Sequence, residues 1–231
     1  MYDLLIFIED ELSLAQSVWA SPDDLLKLST FVQQDILPRP LEVAYLFGNT
    51  PELEHSILER ARALVEDGQA DLLAVTAGRE IRTDPDGHII YRGGQAWKRD
   101  LIEAGIDERK IVVVPAPDPQ PHTGTEAKRF IEMIQDSGLS AIGIVAHPTH
   151  ILRAFVSSVT EVVRRQSNIK VYAIPGLAED WQSTTLYSQH GERRKRIDCL
   201  EGELQRLNRW HAKGDLISAA EVLNYLETRK D

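Results

Sequence analysis

The sequence of 231 residues contains a single cysteine, Cys199, which excludes an internal disulfide and any Cys-x-x-Cys metal or redox motif. A reducing compartment is therefore favoured, and we expect a cytoplasmic protein. The sequence also lacks an apolar run of the roughly 18 residues that a membrane span requires. The apolar residues 4–8 have no basic flank of the kind that opens a signal peptide. We therefore predict neither a membrane segment nor a membrane partner.

Basic residues are in deficit, with 26 Lys and Arg against 36 Asp and Glu and a net charge of -10. This balance argues against binding of nucleic acid through a broad basic surface. Several ligand motifs are also absent: the GxGxxG dinucleotide fingerprint, the P-loop, the GxSxG nucleophile elbow and the HExxH zinc site. We predict no metal. One alternative stays open, a metal-dependent hydrolase in which loops bring His122, His147 and His150 together.

Short apolar runs alternate with helical patterns through most of the chain, which is 42% hydrophobic. The runs are nearly continuous and are separated by helices of ten or more residues, which is typical of parallel strands covered on both faces. The predicted strands are residues 43–47, 72–76, 111–114, 141–145 and 169–174. We therefore predict a doubly wound α/β domain with a mainly parallel five-stranded sheet over residues 41–184.

Two segments outside this alternation are predicted to be helical arms, the N-terminal arm (residues 1–40) and the C-terminal arm (residues 185–231). Ser21 and Pro22 have the residue types of an N-cap and a first helical position, and a boundary is expected at residues 38–40. The C-terminal arm is predicted to be two helices split near Gly214, with the basic run 193–196 in a salt-bridged surface helix. The apolar stripe of this arm must be buried against the body or a partner, which leaves a homodimer open. The stripe consists of Ile197, Leu200, Leu204, Leu207 and Trp210.

Ligands of open parallel sheets bind beyond the carboxyl ends of the strands, so the residues that follow each predicted strand are the site candidates. They combine small residues, hydroxyls, imidazoles, a carboxylate and a guanidinium. These candidates are Gly48, Asn49, Thr76, Gly78, Thr123, Thr125, Glu126, His147, His150 and Arg153. We predict a small-molecule pocket at this edge, with Glu126, His150 and Arg153 in catalytic roles and the others in ligand binding.

Each candidate also has a purely structural interpretation. Gly48 and Gly78 either expose backbone amides to a ligand or only allow tight turns. Glu126 is either a general base or a favourable charge in the first turn of a helix. His147 is either a ligand contact or a helix cap. His150 and Arg153, three residues apart on one helix face, would supply an acid or base and an anion-binding fork.

Four ordered motifs resemble the YdcF/SanA-like family of bacterial α/β domains, over residues 42–176. They are residues 44–48 (Ala-Tyr-Leu-Phe-Gly), 75–78 (Val-Thr-Ala-Gly), 123–127 (Thr-Gly-Thr-Glu-Ala) and 145–154 (Val-Ala-His-Pro-Thr-His-Ile-Leu-Arg-Ala). The resemblance implies a Rossmann-like fold with a pocket that contains Gly48, Gly78, Thr123, Glu126, His150 and Arg153. The chain departs from the family at Ala77, Ala127 and His147, and in having no membrane helix.

One branch of that family is linked to S-adenosylmethionine, and others to envelope or peptidoglycan-precursor metabolism. The resulting prediction is a pocket protein for a nucleotide-like or phosphorylated ligand. An enzyme is favoured, and S-adenosylmethionine is the first candidate ligand. The alternative is a non-catalytic regulatory or scaffolding module that uses its helical arms to bind a partner.

Overall fold

A computed structural model describes residues 19–37, 40–77, 81–83, 86–116, 122–187 and 192–229. Its strands are β1 (Leu41–Leu46), β2 (Ala70–Thr76), β3 (Arg82–Thr83), β4 (Ile89–Tyr91), β5 (Ile111–Val114), β6 (Ala141–Ala146), β7 (Lys170–Pro175), β8 (Thr184–Leu186) and β9 (Arg193–Lys195). Five of them form an all-parallel sheet in the order β5-β2-β1-β6-β7, and β3-β4 and β8-β9 form two small antiparallel pairs. The doubly wound, five-stranded Rossmann-like α/β fold is thus confirmed.

The α-helices of the described residues are α1 (Pro22–Gln34), α2 (Pro51–Glu66), α3 (Gly94–Glu103), α4 (Thr123–Ile134), α5 (Ile151–Arg164), α6 (Cys199–Ala212) and α7 (Ala219–Thr228). Apolar side chains of α2 and α3 pack on one face of the sheet, and those of α1, α4, α5, α6 and α7 belong to the cluster on the other face. Alternate residues of β1 divide between the two cores, with Ala44 in one and Tyr45 in the other. This explains why the strands lack polar alternation.

Helix ends follow the sequence signals. The Ser21 hydroxyl accepts a hydrogen bond from the Asp24 amide, and prolines open α1 and α2. Gly105, just beyond α3, has a φ of 94°, a left-handed conformation that glycine adopts without steric cost. Gly94 has a packing role instead, because a Cβ there would lie 1.7 Å from the backbone oxygen of Thr76.

Both terminal segments close the open edge of β7. The Ala173 amide donates to the Asp35 carboxylate, and the Val171 amide donates to the Tyr225 hydroxyl. Arg229 pairs with Asp35 at 2.6 Å and also donates to the Val171 carbonyl. Side chains therefore satisfy backbone groups that an edge strand otherwise leaves open. Apolar side chains of both predicted arms, Leu28 and Leu207 among them, therefore pack in the same core cluster as the sheet.

The prediction of helix for residues 193–196 is wrong. Arg193–Lys195 is the strand β9, paired with β8, and Arg193 forms an ion pair with Glu52. The basic run therefore alternates its side chains across a hairpin. Of the apolar stripe that follows, Leu207 is fully buried and Leu204 and Trp210 pack against the core, whereas Ile197 is exposed.

Some sequence predictions fall outside the described residues. They concern residues 1–18 of the N-terminal arm, part of the boundary at 38–40 and Gly78. Among the helices that are described, none is both long and apolar enough to cross a bilayer.

Candidate functional site

A cavity of about 190 Å³ lies at the carboxyl ends of β1 and β6. These strands are neighbours, and the chain leaves β1 towards β2 and β5 but reaches β7 from β6, so the winding reverses between them. Ligands of doubly wound proteins bind at this position. The volume is more than ten times the roughly 10–15 Å³ that one water molecule requires.

Residues at the starts of α2, α4 and α5 line the cavity. They are Gly48 and Asn49 before α2, Thr123 and Gly124 in α4, and Thr149 and His150 before α5. The first turn of a helix carries partial positive charge on amides that have no partner within the helix. Convergence of three such ends creates an environment that favours a negatively charged group.

Arg153, Thr123 and His150 form a hydrogen-bonded cluster in the cavity wall. Arg153 Nη1 donates to Thr123 Oγ1 at 2.5 Å, and Thr123 Oγ1 lies 3.1 Å from His150 Nε2. Because arginine can only donate, the Thr123 oxygen is the acceptor in this hydrogen bond. The hydroxyl proton of Thr123 is therefore not used in the bond to Arg153. The structure thus brings together three residues that the sequence analysis placed at the site from two separate strand ends.

A carboxylate from the C-terminal arm binds the other side of Arg153. Glu203 Oε2 accepts from Arg153 Nε at 2.5 Å, and Glu203 Oε1 accepts from Nη2 at 3.3 Å. Arg206 Nη1 also donates to Glu203 Oε1. The neighbouring guanidinium groups hold the pKa of Glu203 down at about 2, against the burial that would raise it. Two arginines therefore share one ionised carboxylate.

Glu126 is the exception among the buried charged groups of the cavity. It is 6% exposed, and its carboxylate accepts no hydrogen bond from any residue that the structure describes. Burial raises its pKa from an ordinary 4.5 to about 7, although Arg82 and Arg153 oppose the shift. A carboxyl group with a pKa near neutrality can both give and accept a proton, which is what general acid–base catalysis requires.

The pKa of His150 is shifted in the opposite direction to that of Glu126. Burial, assisted by the nearby Arg153, lowers its pKa to about 3, so the imidazole is neutral at physiological pH. Its ring also lies edge-on to Phe47, with centroids 6.1 Å apart. The imidazole of His150 therefore suits the role of a neutral hydrogen-bonding group in the cavity wall better than that of a general base.

His147 has a structural environment and does not line the cavity. The Thr149 amide donates to its Nδ1 at 3.2 Å, so Nδ1 is unprotonated and Nε2–H donates to Glu179 Oε2 at 3.0 Å. Its carbonyl accepts hydrogen bonds from the amides of His150 and Ile151. These contacts hold the turn that leads from β6 into α5.

The remaining predicted site residues divide between the cavity and its surroundings. Gly48 and Asn49 line it; a Cβ on Gly48 would lie 2.6 Å from the Tyr91 ring, so this glycine makes room for a side chain of the protein. Thr76 is buried at the end of β2, and Thr125 exchanges hydrogen bonds with the backbone of His122; neither lines the cavity. Ligand binding by these residues stays a prediction, and Gly78 lies outside the described residues.

Several lining residues have no counterpart among the sequence predictions. They are Arg82 and Tyr91 of the β3-β4 hairpin, and Tyr187, Glu203, Trp210 and Asp215 of the C-terminal arm. No local sequence pattern indicates the contact of Glu203 with Arg153, a residue fifty positions earlier. The stacking of Trp210 on His122, with ring centroids 5.3 Å apart, likewise depends on the tertiary fold.

A metal-dependent site has no support among the residues described. No three His, Cys, Asp or Glu side chains of that part of the chain are grouped so that they could hold an ion. His122 stacks on Trp210, and His147 is committed to Thr149 and Glu179.

Comparison with known proteins adds no assignment: the chain matches no protein-family model, and no curated protein is significantly similar to it in sequence. The resemblance to the YdcF/SanA-like family therefore stays a prediction that rests on the four motifs.

Proposed function

We propose that the protein binds a small anionic molecule, of the phosphorylated or nucleotide-like class, in the cavity at the ends of β1 and β6. The observation that carries this proposal is the meeting of Arg153 with the N-termini of α2, α4 and α5 around one cavity. Guanidinium groups and helix N-termini are both preferred partners of phosphate and carboxylate. The expected location is the cytoplasm, for which the single cysteine is the supporting observation.

The balance of buried charge also supports an anion. Arg153 and Arg206 share the single carboxylate of Glu203, which leaves one positive charge in excess. The exposed Arg82 and Asp215 at the cavity rim have opposite signs. Glu126 offsets the excess only when it is ionised, and its pKa of about 7 means that it is ionised only in part at neutral pH.

The same charges do not fit S-adenosylmethionine well. That molecule carries a cationic sulfonium and an ammonium group, for which a partly protonated Glu126 among arginines is a poor partner. A phosphate ester places negative charge where the cavity has positive charge. We therefore rank phosphorylated ligands above S-adenosylmethionine.

If the protein is an enzyme, Glu126 is the residue that moves a proton, and Arg153 with Thr123 holds the anionic group beside it. The neutral His150 contributes a hydrogen bond. A general acid or base of this kind contributes roughly 10²–10⁴ in rate. The alternative of a partner-binding module loses part of its basis, because three residues of the stripe that motivated it pack within the chain.

Calorimetric titration tests the proposal. Phosphate, adenosine 5′-monophosphate and S-adenosylmethionine are titrated into the wild type, into Arg153→Met and into a control, Arg129→Met, at an exposed arginine of α4. Arg206 still pairs with Glu203 when Arg153 is replaced, so the variant is expected to fold. We expect the two phosphates to bind and Arg153→Met alone to weaken binding at least tenfold. Equal affinities in all three proteins would contradict the proposal.

Sulfate has one charge state near neutrality. A change of its affinity with pH therefore reports the protonation of the protein, including Glu126, and not that of the ligand. We expect wild-type affinity for sulfate to fall between about pH 6 and pH 8, as Glu126 ionises and repels the anion. Glu126→Gln is expected to bind sulfate with the same affinity at both values. A wild-type affinity that does not change with pH would remove Glu126 from the site.

A further inference from the structure

We propose that Glu203 is a positioning residue, which holds the guanidinium of Arg153 in the orientation that leaves donors for an anion in the cavity. The inference rests on the proposed function, and it assigns part of the binding site to α6, in the C-terminal arm. Neither a strand end nor a motif identifies this residue.

The donors of Arg153 provide the first step. Arginine has five N–H groups. Glu203 takes one from Nε and one from Nη2, and Thr123 takes one from Nη1. The other two N–H groups, one on each Nη, have no partner among the residues that the structure describes. Because Arg153 lines the cavity, these are the donors that remain for a ligand.

The second step is that Glu203 is itself fixed. It is 7% exposed, and Arg206 donates to the same Oε1 that receives Nη2 of Arg153. The guanidinium of Arg206 lies over the Tyr187 ring, 4.8 Å from its centroid. A Cβ on Gly202 would lie 2.1 Å from the Tyr187 hydroxyl, so the glycine before Glu203 permits this close packing. A carboxylate held from several sides can determine the rotamer of a long arginine side chain.

The direction in which one substitution changes the affinity for an anion distinguishes this role from simple electrostatics. Glu203→Gln removes a negative charge beside the cavity, so electrostatics alone predicts tighter binding of an anion. The same sign is expected if Glu203 occupies the position of the ligand and must be displaced. A positioning role predicts weaker binding, because the amide replaces one of the two oxygens that accept from Arg153 with an NH2 donor.

Two variants and a matched control test the proposal. Glu203→Gln removes the charge, and Glu203→Asp keeps the charge but shortens the side chain by one methylene. Glu201→Gln is the control, an exposed carboxylate on the same helix whose hydrogen bond joins it to Gln205 at 3.4 Å. Thermal unfolding shows which variants fold, and the Asp variant carries the test if the Gln variant does not.

The readouts are the dissociation constant for sulfate at about pH 6 and the crystal structure of each variant. We expect sulfate to bind about tenfold more weakly to both Glu203 variants and unchanged to Glu201→Gln, with Arg153 turned away from Thr123 in the variant structures. Tighter or unchanged binding in Glu203→Gln, or an Arg153 that keeps its orientation there, would overturn the proposal. If the wild type does not bind sulfate, the proposed function fails, and the orientation of Arg153 in the variant structures alone decides the positioning role.

Discussion

Two arginine–carboxylate clusters among the described residues, one at the edge of β7 and one at the cavity, differ in charge balance and in what surrounds them. At the edge of β7, Arg229 faces one carboxylate, Asp35, and its guanidinium lies over the rings of Phe31 and Tyr172, at 5.0 and 4.1 Å from their centroids. At the cavity, Arg153 shares Glu203 with a second arginine. The edge cluster is electrically neutral and enclosed, whereas the cavity cluster has a positive excess beside open space.

This difference distinguishes an ion pair that stabilises the fold from an arginine cluster that is suited to bind an anion. Buried charges are costly unless they are paired and hydrogen-bonded, and the edge cluster meets both conditions with partners inside the protein. The cavity cluster meets them only in part, because one positive charge lacks a fixed counter-ion among the residues that the structure describes. We infer that an anionic ligand supplies that counter-ion, and the first experiments below examine whether the two clusters behave differently.

The largest expected effect is on stability at the edge cluster. Arg229→Ala leaves the fully buried Asp35 without its counter-ion and the Val171 carbonyl without this donor. Loss of one partner of a buried ion pair costs about 3–5 kcal/mol, which urea or thermal unfolding measures. Arg109→Ala, at an exposed pair with Asp107, is the control and should leave the melting temperature unchanged. A loss below about 1 kcal/mol in Arg229→Ala would show that the edge cluster does not hold the terminal helices.

A smaller effect, which depends on pH, is expected at the cavity. The folded-state pKa of Glu126, about 7, lies above its ordinary 4.5, so protonation stabilises the fold. This contribution is complete below about pH 4.5 and is lost as the pH rises through 7, which amounts to about 3 kcal/mol. Glu126→Gln cannot ionise, so it should be more stable than the wild type at about pH 8, and the difference should shrink towards pH 5.

Unfolding curves of the two proteins across this pH range check the prediction. Glu201→Gln, which changes an exposed carboxylate, provides the comparison for a substitution outside the cavity. A stability difference between Glu126→Gln and the wild type that is constant with pH would mean that the Glu126 carboxyl does not titrate near neutrality in the folded protein.

The last prediction concerns the smallest change, because His150 is expected not to titrate near neutral pH. The imidazole of His150, whose pKa burial lowers to about 3, should keep the same ring chemical shifts between about pH 5 and pH 8 in an NMR titration. The resonances are assigned by comparison with His150→Asn. A midpoint near the ordinary value of 6.5 would instead make His150 a candidate acid or base beside Glu126.

The sequence predicts the fold well because the signals for the sheet are local. The apolar runs of β5 and β6 are almost continuous, and the predicted bounds differ from the observed ones by no more than one residue. The strand β9 was not predictable in the same way, since three basic residues in a row show no apolar alternation. Its pairing with β8 depends on partners elsewhere, such as Glu52 for Arg193.

The site was predictable only where topology alone places a residue. The ends of parallel strands meet at one edge, so Thr123, His150 and Arg153 were expected together, and they are hydrogen-bonded in the structure. Glu203 comes from α6, far along the chain, and reaches Arg153 through a packing arrangement that no local pattern encodes. The charge balance of the cavity therefore became visible only in three dimensions.

Diffraction from crystals soaked in tungstate, a heavy tetrahedral anion, tests the central claim most directly. The anomalous scattering of tungsten distinguishes the bound anion from water and from ordinary buffer ions. The account predicts a peak inside the cavity, with oxygens within hydrogen-bond distance of the Arg153 Nη atoms and close to the first turn of α4. An empty cavity in crystals that bind tungstate elsewhere on the surface would contradict it.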